Sequence, residues 1–257
     1  MTSQGRLSGR VAVVTGGGRG LGKAIALAYA EEGADLVIVA RGREEIEQAV
    51  AEVEDLGRKA LGISADVTDL EDVKRMARSA LDRFGRIDVL LNAAGQRAVF
   101  PSAELSFEDW QRVINVNLSG SFVCSQVIGR TMIERGYGKI IMMGSMQAHS
   151  GAPERAAYIA SKTGLVGLTR ALGVEWAKYG VNVNILSPGY FRTAAIERQF
   201  EIGELDLASI ERRTPARRIG EMRDLTGPAI FLASAESDFM CGQALIIDGG
   251  WMAYGFL

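Results

Sequence analysis

The chain has 257 residues, of which 47% are hydrophobic and 23% charged, enough apolar content to bury one sizeable core. Its 29 basic and 31 acidic residues give a formal charge of -2, so it lacks the electropositive footprint of a nucleic-acid or anionic-membrane binder. Two distant cysteines, Cys124 and Cys241, and one histidine, His149, argue against a Cys/His metal cluster and against a His-based nucleophile triad; no metal is expected.

Apolar, β-rich runs alternate with longer segments of helical period. Val11–Thr15 reads as a first strand and Gly20–Glu32 as a helix with Ile25, Ala28 and Tyr29 on one face. Leu36–Ala40 is a second strand, followed by a charged helix over Arg43–Leu56. Ala60–Ala65 and Leu70–Phe84 form a third pair, and Asp88–Asn92 a fourth strand. A long helix lies within Phe107–Arg135, then come a strand at Lys139–Gly144 and another long helix at Ala156–Tyr179. Val181–Ser187 is a sixth strand, Arg223–Ser234 a helix and Ala244–Ile247 a last short strand. The strands are continuously apolar, which implies burial on both faces. The fold class expected is α/β, a Rossmann-type doubly wound parallel sheet with helices on both faces. No linker, repeat or low-complexity tract divides the chain, so residues 1–257 read as one dinucleotide-binding oxidoreductase domain. The polar stretch Thr193–Arg217 interrupts the alternation and reads as an irregular functional loop, with a substrate loop expected over about residues 190–217. Met1–Arg10 is polar and lacks the apolar core of a secretory signal, and no run is long enough to span a membrane, so a cytoplasmic location is expected.

The turn Thr15-Gly16-Gly17-Gly18-Arg19-Gly20-Leu21-Gly22 follows the first strand and opens the first helix. Glycines there let the backbone approach a phosphate, which the free N–H groups of the helix N-terminus can bind. A glycine cluster alone could equally be a tight strand–helix connection; its position after a strand and before a helix favours a nucleotide site. At the end of the second strand, where a carboxylate would bind the ribose 2′-hydroxyl of NAD, the chain has Arg41, with Arg43 behind it and Arg19 in the turn. Guanidinium groups suit a 2′-phosphate, so NADP(H) is the cofactor expected, with NAD(H) possible; the alternative is that these arginines are ordinary surface residues.

Tyr158 and Lys162 lie four apart on a helix and share a face. A free tyrosine, with a pKa of about 10, is a poor base at neutral pH, but a nearby ammonium favours the phenolate, and a proton-transfer group tuned this way is what carbonyl reduction needs. The pair alone is a weak signal; its surroundings make it specific. The glycine turn at Thr15–Gly22, Asn92-Ala93-Ala94-Gly95, Asn115-Val116-Asn117-Leu118, Ser145 thirteen residues before Tyr158, Ser187-Pro188-Gly189 with Thr193, and Asp248-Gly249-Gly250 occur in order. On these motifs nearly the whole chain resembles the short-chain dehydrogenase/reductase family, with Ala93 replacing the second Asn of the family's NNAG.

The resemblance implies roles. Tyr158 would exchange a proton with the substrate oxygen, and Lys162 would lower the Tyr158 pKa and hold the nicotinamide ribose. Ser145 would hydrogen-bond the reacting oxygen. Asn117 would hold a water relaying protons to Lys162. Gly16, Gly18, Arg19, Gly20, Leu21 and Gly22 would hold the phosphates and Arg41 the 2′-phosphate. Asp66 and Val67 would meet the adenine, Asn92, Ala93 and Gly95 the adenosine ribose, and Pro188, Gly189, Phe191 and Thr193 the nicotinamide. Taken singly, Asn92 could end a strand, Asp66 could cap a helix (Thr68 or Asp69 is better placed), and Asn117 could mark a kink.

Substrate must be argued from the site. The segments after Gly95, after Ser145 and over Tyr190–Arg217 offer Gln96, Arg97, Gln147, His149, Arg155, Tyr190, Arg192 and Arg198. Arg97, Ser145, Gln147, His149, Arg155 and Tyr190 are the substrate residues expected, although His149 could equally be a loop residue touching solvent. Arginines suit an acidic small molecule better than a steroid or long-chain alcohol. Ala94–Arg97, Gly144–Gln147, Pro188–Phe191, Arg213–Ala216 and Gly249–Ala253 are similar to gluconate 5-dehydrogenases and related sugar-acid dehydrogenases. The resemblance therefore implies NADP(H)-linked interconversion of a secondary alcohol and a ketone on a polyol or sugar acid. Two alternatives stand beside it. A 3-oxoacyl-[acyl-carrier-protein] reductase would use Arg130, Arg135 and the cluster Arg212–Arg218 as a carrier-docking patch; a catalytically silent nucleotide sensor would keep the fold alone. The family also implies a homotetramer through the two long helices. The apolar tail Trp251–Leu257 is expected to pack on a neighbour or to close a pocket.

Overall fold

In a computed structural model, which describes residues 5–255, seven strands form one parallel sheet in the order β3-β2-β1-β4-β5-β6-β7. The strands are β1 (Val11–Thr15), β2 (Asp35–Ala40), β3 (Ala60–Ser64), β4 (Val89–Asn92), β5 (Gly138–Met143), β6 (Val181–Pro188) and β7 (Ala244–Ile247). The helices are α1 (Gly20–Glu31), α2 (Arg43–Asp55), α3 (Leu70–Phe84), α4 (Phe107–Ile114), α5 (Gly120–Arg135), α6 (Ala156–Trp176), α7 (Ala194–Glu201), α8 (Leu207–Arg213) and α9 (Met222–Ala233).

The apolar runs are buried on both faces because each strand feeds two cores. Val11, Val13, Val37 and Val39 pack with α3, α5 and α6 on one side. Their neighbours Ala12, Val14, Leu36 and Ile38 pack with α1, α2 and α9 on the other. Fully burying each such side chain contributes about 1.5–3 kcal/mol. Edge strand β3 is only partly covered, and Gly62 and Ser64 reach the surface. Tyr29 is wholly buried on α1 and donates its hydroxyl to the Ala229 carbonyl of α9 at 3.1 Å, tying the first helix to the last.

Strand order reverses between β1 and β4, which both pair with each other but continue in opposite directions across the sheet. In an open parallel sheet the crevice at the carboxyl ends of such strands is where ligands bind. Helix starts and stops follow local chemistry. Asp69 caps α3 by accepting from the Glu71 and Asp72 N–H groups, and Gly85 ends that helix in the left-handed region.

Two segments depart from the sequence reading. The helix expected within Phe107–Arg135 is divided by a wide π turn over Asn115–Ser119. The stretch Thr193–Arg217, read as irregular, contains α7 and α8, started by Thr193 and Asp206 caps that accept from the Ile196 and Ala208 N–H groups. Its polarity reflects two short, half-exposed helices with one buried residue each, Gln199 and Ile210, too few for a clear apolar period. Among the described residues no helix is long and apolar enough to cross a membrane.

Candidate active site

The glycine turn leaves β1 against the end of β4. Gly16 has φ 67°, and a Cβ there would stand 2.8 Å from the Ala93 carbonyl carbon and the Ala94 nitrogen; Gly22 passes so close to the Gly16 carbonyl that a Cβ would lie 2.4 Å from its oxygen. Only glycine meets both demands. Helix α1 then begins after Arg19 with no side-chain cap and no acidic residue in its first turn. Its amide groups are thus left for an anion at the sheet's switch point, which fits the pyrophosphate of a dinucleotide. Gly18, Gly20 and Leu21 complete this loop.

At the end of β2, Arg19 pairs with Glu45 at 3.2 Å and Arg43 with Glu47 at 2.8 Å. Arg41 is exposed and makes no ion pair among the described residues. Beyond β3, Asp66 accepts from the Thr68 N–H and hydroxyl at 2.8 and 2.7 Å, so it shapes its own loop while Asp69 caps the helix. Val67 packs at 2.8 Å from where a Gly120 Cβ would stand. Asn92 is buried, donates to the Ser125 hydroxyl at 3.0 Å, and leaves its Oδ1 without a partner.

Tyr158, Lys162, Ser145 and Asn117 converge in front of this loop. The π turn carries Asn117 inward, where it is fully buried. It donates through Nδ2 to the Ser161 hydroxyl and to the Gln96 carbonyl, both at 2.9 Å, and accepts from the Gln96 N–H at 2.7 Å. Hydroxyls of Ser121 and Ser125 take carbonyls at Asn117 and Ser121, each at 2.7 Å, where the regular ladder is interrupted. Lys162 is 4% exposed and donates to the Met143 carbonyl at 2.7 Å; its Nζ lies 5.7 Å from the Tyr158 ring centre. With no carboxylate beside it, burial pushes the Lys162 ammonium down to about 8.

Burial likewise drives the Tyr158 phenol upward. A hydrogen bond with Ser145 opposes that rise first, then the charges of Arg155 and Arg97. Lys162, to which the family resemblance gives this task, is not among the opposing groups here; its ammonium is turned to Met143. The Ser145 hydroxyl also accepts from the Gln147 N–H at 3.1 Å.

A cavity of about 110 Å³ opens over these residues, lined by Arg97, Ser145, Met146, Gln147, Arg155, Tyr158, Gly189, Tyr190, Ile196 and Leu205. Five of the six expected substrate residues meet there. His149 does not: its Nε2 faces the Ser187 hydroxyl at 3.3 Å, and burial, then Arg170, lower its pKa. Gln96 turns its side chain to Arg112 at 2.6 Å, Arg192 pairs with Glu197 and Glu221, and Arg198 pairs with Glu201 in the segment over α7 and α8, the lid of this cavity through Ile196 and Leu205. Gly189 sits where a Cβ would meet Asp248 at 2.9 Å, so the chain after Pro188 runs against the C-terminal turn. Phe191 is buried under Gly220, and Thr193 caps α7, so their side chains serve the lid's own structure.

Ser161, Gln199 and Glu204 belong to the site but carried no signal in the sequence, whereas the apolar tail was expected to pack on a neighbour or close a pocket. Ser161 donates to the Tyr158 carbonyl while accepting from Asn117. Gln199 and Glu204 of the lid hold Arg97. Trp251 packs edge-on against Tyr190, ring centres 5.5 Å apart, and Arg213 stacks on Trp251 and Tyr254. The tail therefore closes the site from behind; Phe256 and Leu257 lie outside the described residues. Among the described residues no cluster of His, Cys, Asp or Glu could hold a metal ion.

Residues 10–202 match the model of the short chain dehydrogenase family. The chain is 40% identical over 250 residues to the 2-dehydro-3-deoxy-D-gluconate 5-dehydrogenase of Escherichia coli K12, covering 96% of this chain and 97% of that protein. Its structure superposes with a TM-score of 0.91 on a gluconate 5-dehydrogenase from Burkholderia cenocepacia J2315 in complex with NADP and tartrate, at 39% identity and 97% coverage of both chains. An NAD+-bound xylitol dehydrogenase superposes with the same TM-score of 0.91 at 34% identity, covering 95% of this chain and 99% of that one. With the glycine cradle, the uncapped helix and the Ser145, Tyr158, Lys162 and Asn117 constellation, these likenesses establish that the chain belongs to the short-chain dehydrogenase/reductase family, nicotinamide-dependent oxidoreductases acting on CH–OH groups.

Proposed function

We propose that this enzyme interconverts a secondary hydroxyl and a ketone on a small sugar acid such as gluconate, with NADP(H) as its preferred cofactor. The observation that carries the reading is the cavity over Ser145 and Tyr158: two arginines, Arg97 and Arg155, line it and no carboxylate does. A cationic, carboxylate-free pocket of this size favours a small anionic ligand. The Burkholderia neighbour was solved with tartrate, itself a small hydroxy acid.

In this reading the nicotinamide, when bound, accepts the hydride from the carbinol carbon or returns it. The chain's residues handle the proton and the position. Ser145 hydrogen-bonds the reacting oxygen, Tyr158 takes its proton in oxidation and donates it in reduction, and Arg155 and Arg97 hold down the cost of the phenolate. Gly16, Gly20 and Gly22 with the start of α1 hold the pyrophosphate. Arg41, exposed at the end of β2 and without an ion pair among the described residues, is the group suited to a 2′-phosphate.

Carrier-protein docking has less support. Arg135 donates to buried Asp88 at 3.3 Å, Arg213 is stacked in the tail and Arg218 pairs with Asp224 at 2.5 Å, so these charges are answered internally. A silent nucleotide sensor has no need of the four assembled catalytic groups. Tetramer formation through α5 and α6 belongs to the same reading; Val174 on α6 is 79% exposed and Phe122 on α5 39%. Light scattering giving a single-subunit mass would remove that element.

The test is direct. Purified enzyme is mixed with gluconate or 2-dehydro-3-deoxygluconate and either NADP or NAD, and nicotinamide absorbance is followed. Turnover of an acid with NADP, and little with NAD, is expected. Turnover only of acyl thioesters would overturn the substrate reading.

A further inference from the structure

The two arginines of the cavity differ in how their charges are met. Arg97 donates through Nη1 to Gln199 Oε1 at 2.7 Å, the Gln199 Nε2 donates in turn to Glu204 Oε1 at 2.6 Å, and Arg97 Nη2 stands 3.8 Å from that same oxygen. Gln199 is only 2% exposed. Its amide is oriented by its neighbours, oxygen toward the cation and NH2 toward the carboxylate, so the lid answers the charge of Arg97 through a buried relay.

Arg155 has no such partner among the described residues. It is the N-cap of α6, three residues before Tyr158, and lines the same cavity. Its backbone is fixed from both sides. Glu154 before it holds φ 60°, a left-handed conformation that residues with side chains rarely adopt and that clusters at functional sites. The Glu154 carbonyl accepts from the Phe100 N–H at 3.0 Å, and the Arg155 carbonyl from the Ile159 N–H at 2.9 Å. Arg155 thus lines the cavity without a carboxylate partner among the described residues, while the guanidinium of Arg97 is already engaged by the lid.

We propose that Arg155 is the residue that selects a substrate carboxylate, while Arg97, whose guanidinium is engaged by Gln199 and stands near Glu204, is held in place by the lid. The assignment rests on the acid-substrate reading above and refines it. One free cation admits one carboxylate, so the site should favour monocarboxylates over dicarboxylates, and the lid residue Glu204 should set that preference.

The experiment measures calorimetric affinities of the full-length enzyme saturated with NADPH, which cannot oxidise a hydroxy acid, using gluconate as the monocarboxylate and tartrate as the dicarboxylate. Arg155→Met should weaken gluconate by about tenfold or more, as loss of a charge-assisted hydrogen bond does, and Arg155→Lys should recover part of it. Glu204→Gln should tighten tartrate by about tenfold while changing gluconate far less. Melting temperature and NADP affinity, both expected to hold, show that each variant is folded. Gluconate bound equally by wild type and Arg155→Met would overturn the Arg155 assignment alone. Tartrate unaffected by Glu204→Gln would overturn the role of the lid carboxylate. Failure of the wild type to bind gluconate would overturn the acid-substrate reading and the proposal with it.

Discussion

Asn117 and Gln96 are joined edge to edge: the Asn117 Oδ1 accepts from the Gln96 N–H at 2.7 Å and its Nδ2 donates to the Gln96 carbonyl at 2.9 Å. This clamp fastens the loop after β4 to the π turn, and Gly95, next in the loop, comes so close that a Cβ there would lie 3.8 Å from Lys162 Nζ. One amide therefore sets both the floor under Lys162 and the start of the segment that carries Arg97.

Replacing Asn117 with Leu leaves the part-buried Gln96 N–H and carbonyl without their partner and takes away the donor to the Ser161 hydroxyl, which keeps its own bond to the Tyr158 carbonyl. Each unsatisfied buried group costs about 1–3 kcal/mol. Denaturant unfolding is expected to give a loss in that range or larger, together with reduced turnover. A variant with wild-type stability and activity would mean that water replaces the amide fully.

Tyr158→Phe removes the proposed proton-transfer group and little else, since the ring and its packing remain. Turnover should fall by about 10²–10⁴-fold, the usual contribution of general acid–base catalysis, with nicotinamide binding retained. In the oxidation direction, wild-type kcat/KM should rise with pH as the proton acceptor forms, and the residual rate of the variant should lack that dependence. Equal pH profiles would assign the titrating group elsewhere.

How much of this site could be read beforehand depends on whether a residue works through local or distant neighbours. The glycine turn, Tyr158 with Lys162, and Ser145 are visible because strand, turn and helix periods place them. The alternation of continuous apolar runs with helices was enough to expect a parallel sheet covered on both faces, as β1 and β2 bear out. The division of labour between Arg97 and Arg155 was not legible, because Gln199 lies 102 residues from Arg97 and nothing in α7 marks it as buried. The π turn was equally hidden: an Asn in a helical run signals a possible kink, but the widened turn is stabilised by serine hydroxyls and by Ser161 on another helix. His149 failed for a related reason, since its partner Ser187 belongs to the neighbouring strand.

Lys162 offers a test by pH. Burial lowers its pKa to about 8 in the folded state, against about 10.4 in an unfolded chain. Below pH 8 both states bind the proton and the folded state bears the full cost of a buried ammonium. Between about 8 and 10.4 the unfolded chain binds more protons, so this group's contribution to stability rises with pH. Lys162→Met removes the cost, offset in part by loss of the Met143 hydrogen bond. Without cofactor, the variant should be the more stable protein at pH 7, inactive, and its advantage should shrink as pH rises from 8 toward 10. Melting curves at three pH values check the sign; an advantage that grows with pH overturns it.

The proposed preference for NADP rests on Arg41. Arg19 and Arg43 are already paired with Glu45 and Glu47, so Arg41 is the residue free to meet a 2′-phosphate. Arg41→Ala should raise the KM for NADP by about tenfold, equivalent to about 1.4 kcal/mol, and leave that for NAD nearly unchanged. Glu45→Gln should act in the opposite direction by releasing Arg19. Equal effects of Arg41→Ala on both cofactors would point to general electrostatics in place of phosphate recognition.

Trp251 links the tail to the substrate cavity through Tyr190, and Arg213 pins Trp251 by stacking on it while donating to the Tyr254 carbonyl at 2.9 Å. An edge-on aromatic pair contributes about 0.5–1.5 kcal/mol and a cation over a ring about 0.5–1 kcal/mol, so Trp251→Ala should release Tyr190 at a cost of about 1–2.5 kcal/mol. Because Tyr190 lines the substrate cavity and the glycine cradle lies elsewhere, the loss should appear as a raised substrate KM with NADP affinity unchanged. Arg213→Met should reproduce part of that effect from a residue that never reaches the cavity. If both variants lower the melting temperature but leave KM untouched, the tail is packing alone; a KM effect without a stability effect would make the C-terminal turn a working part of the substrate site.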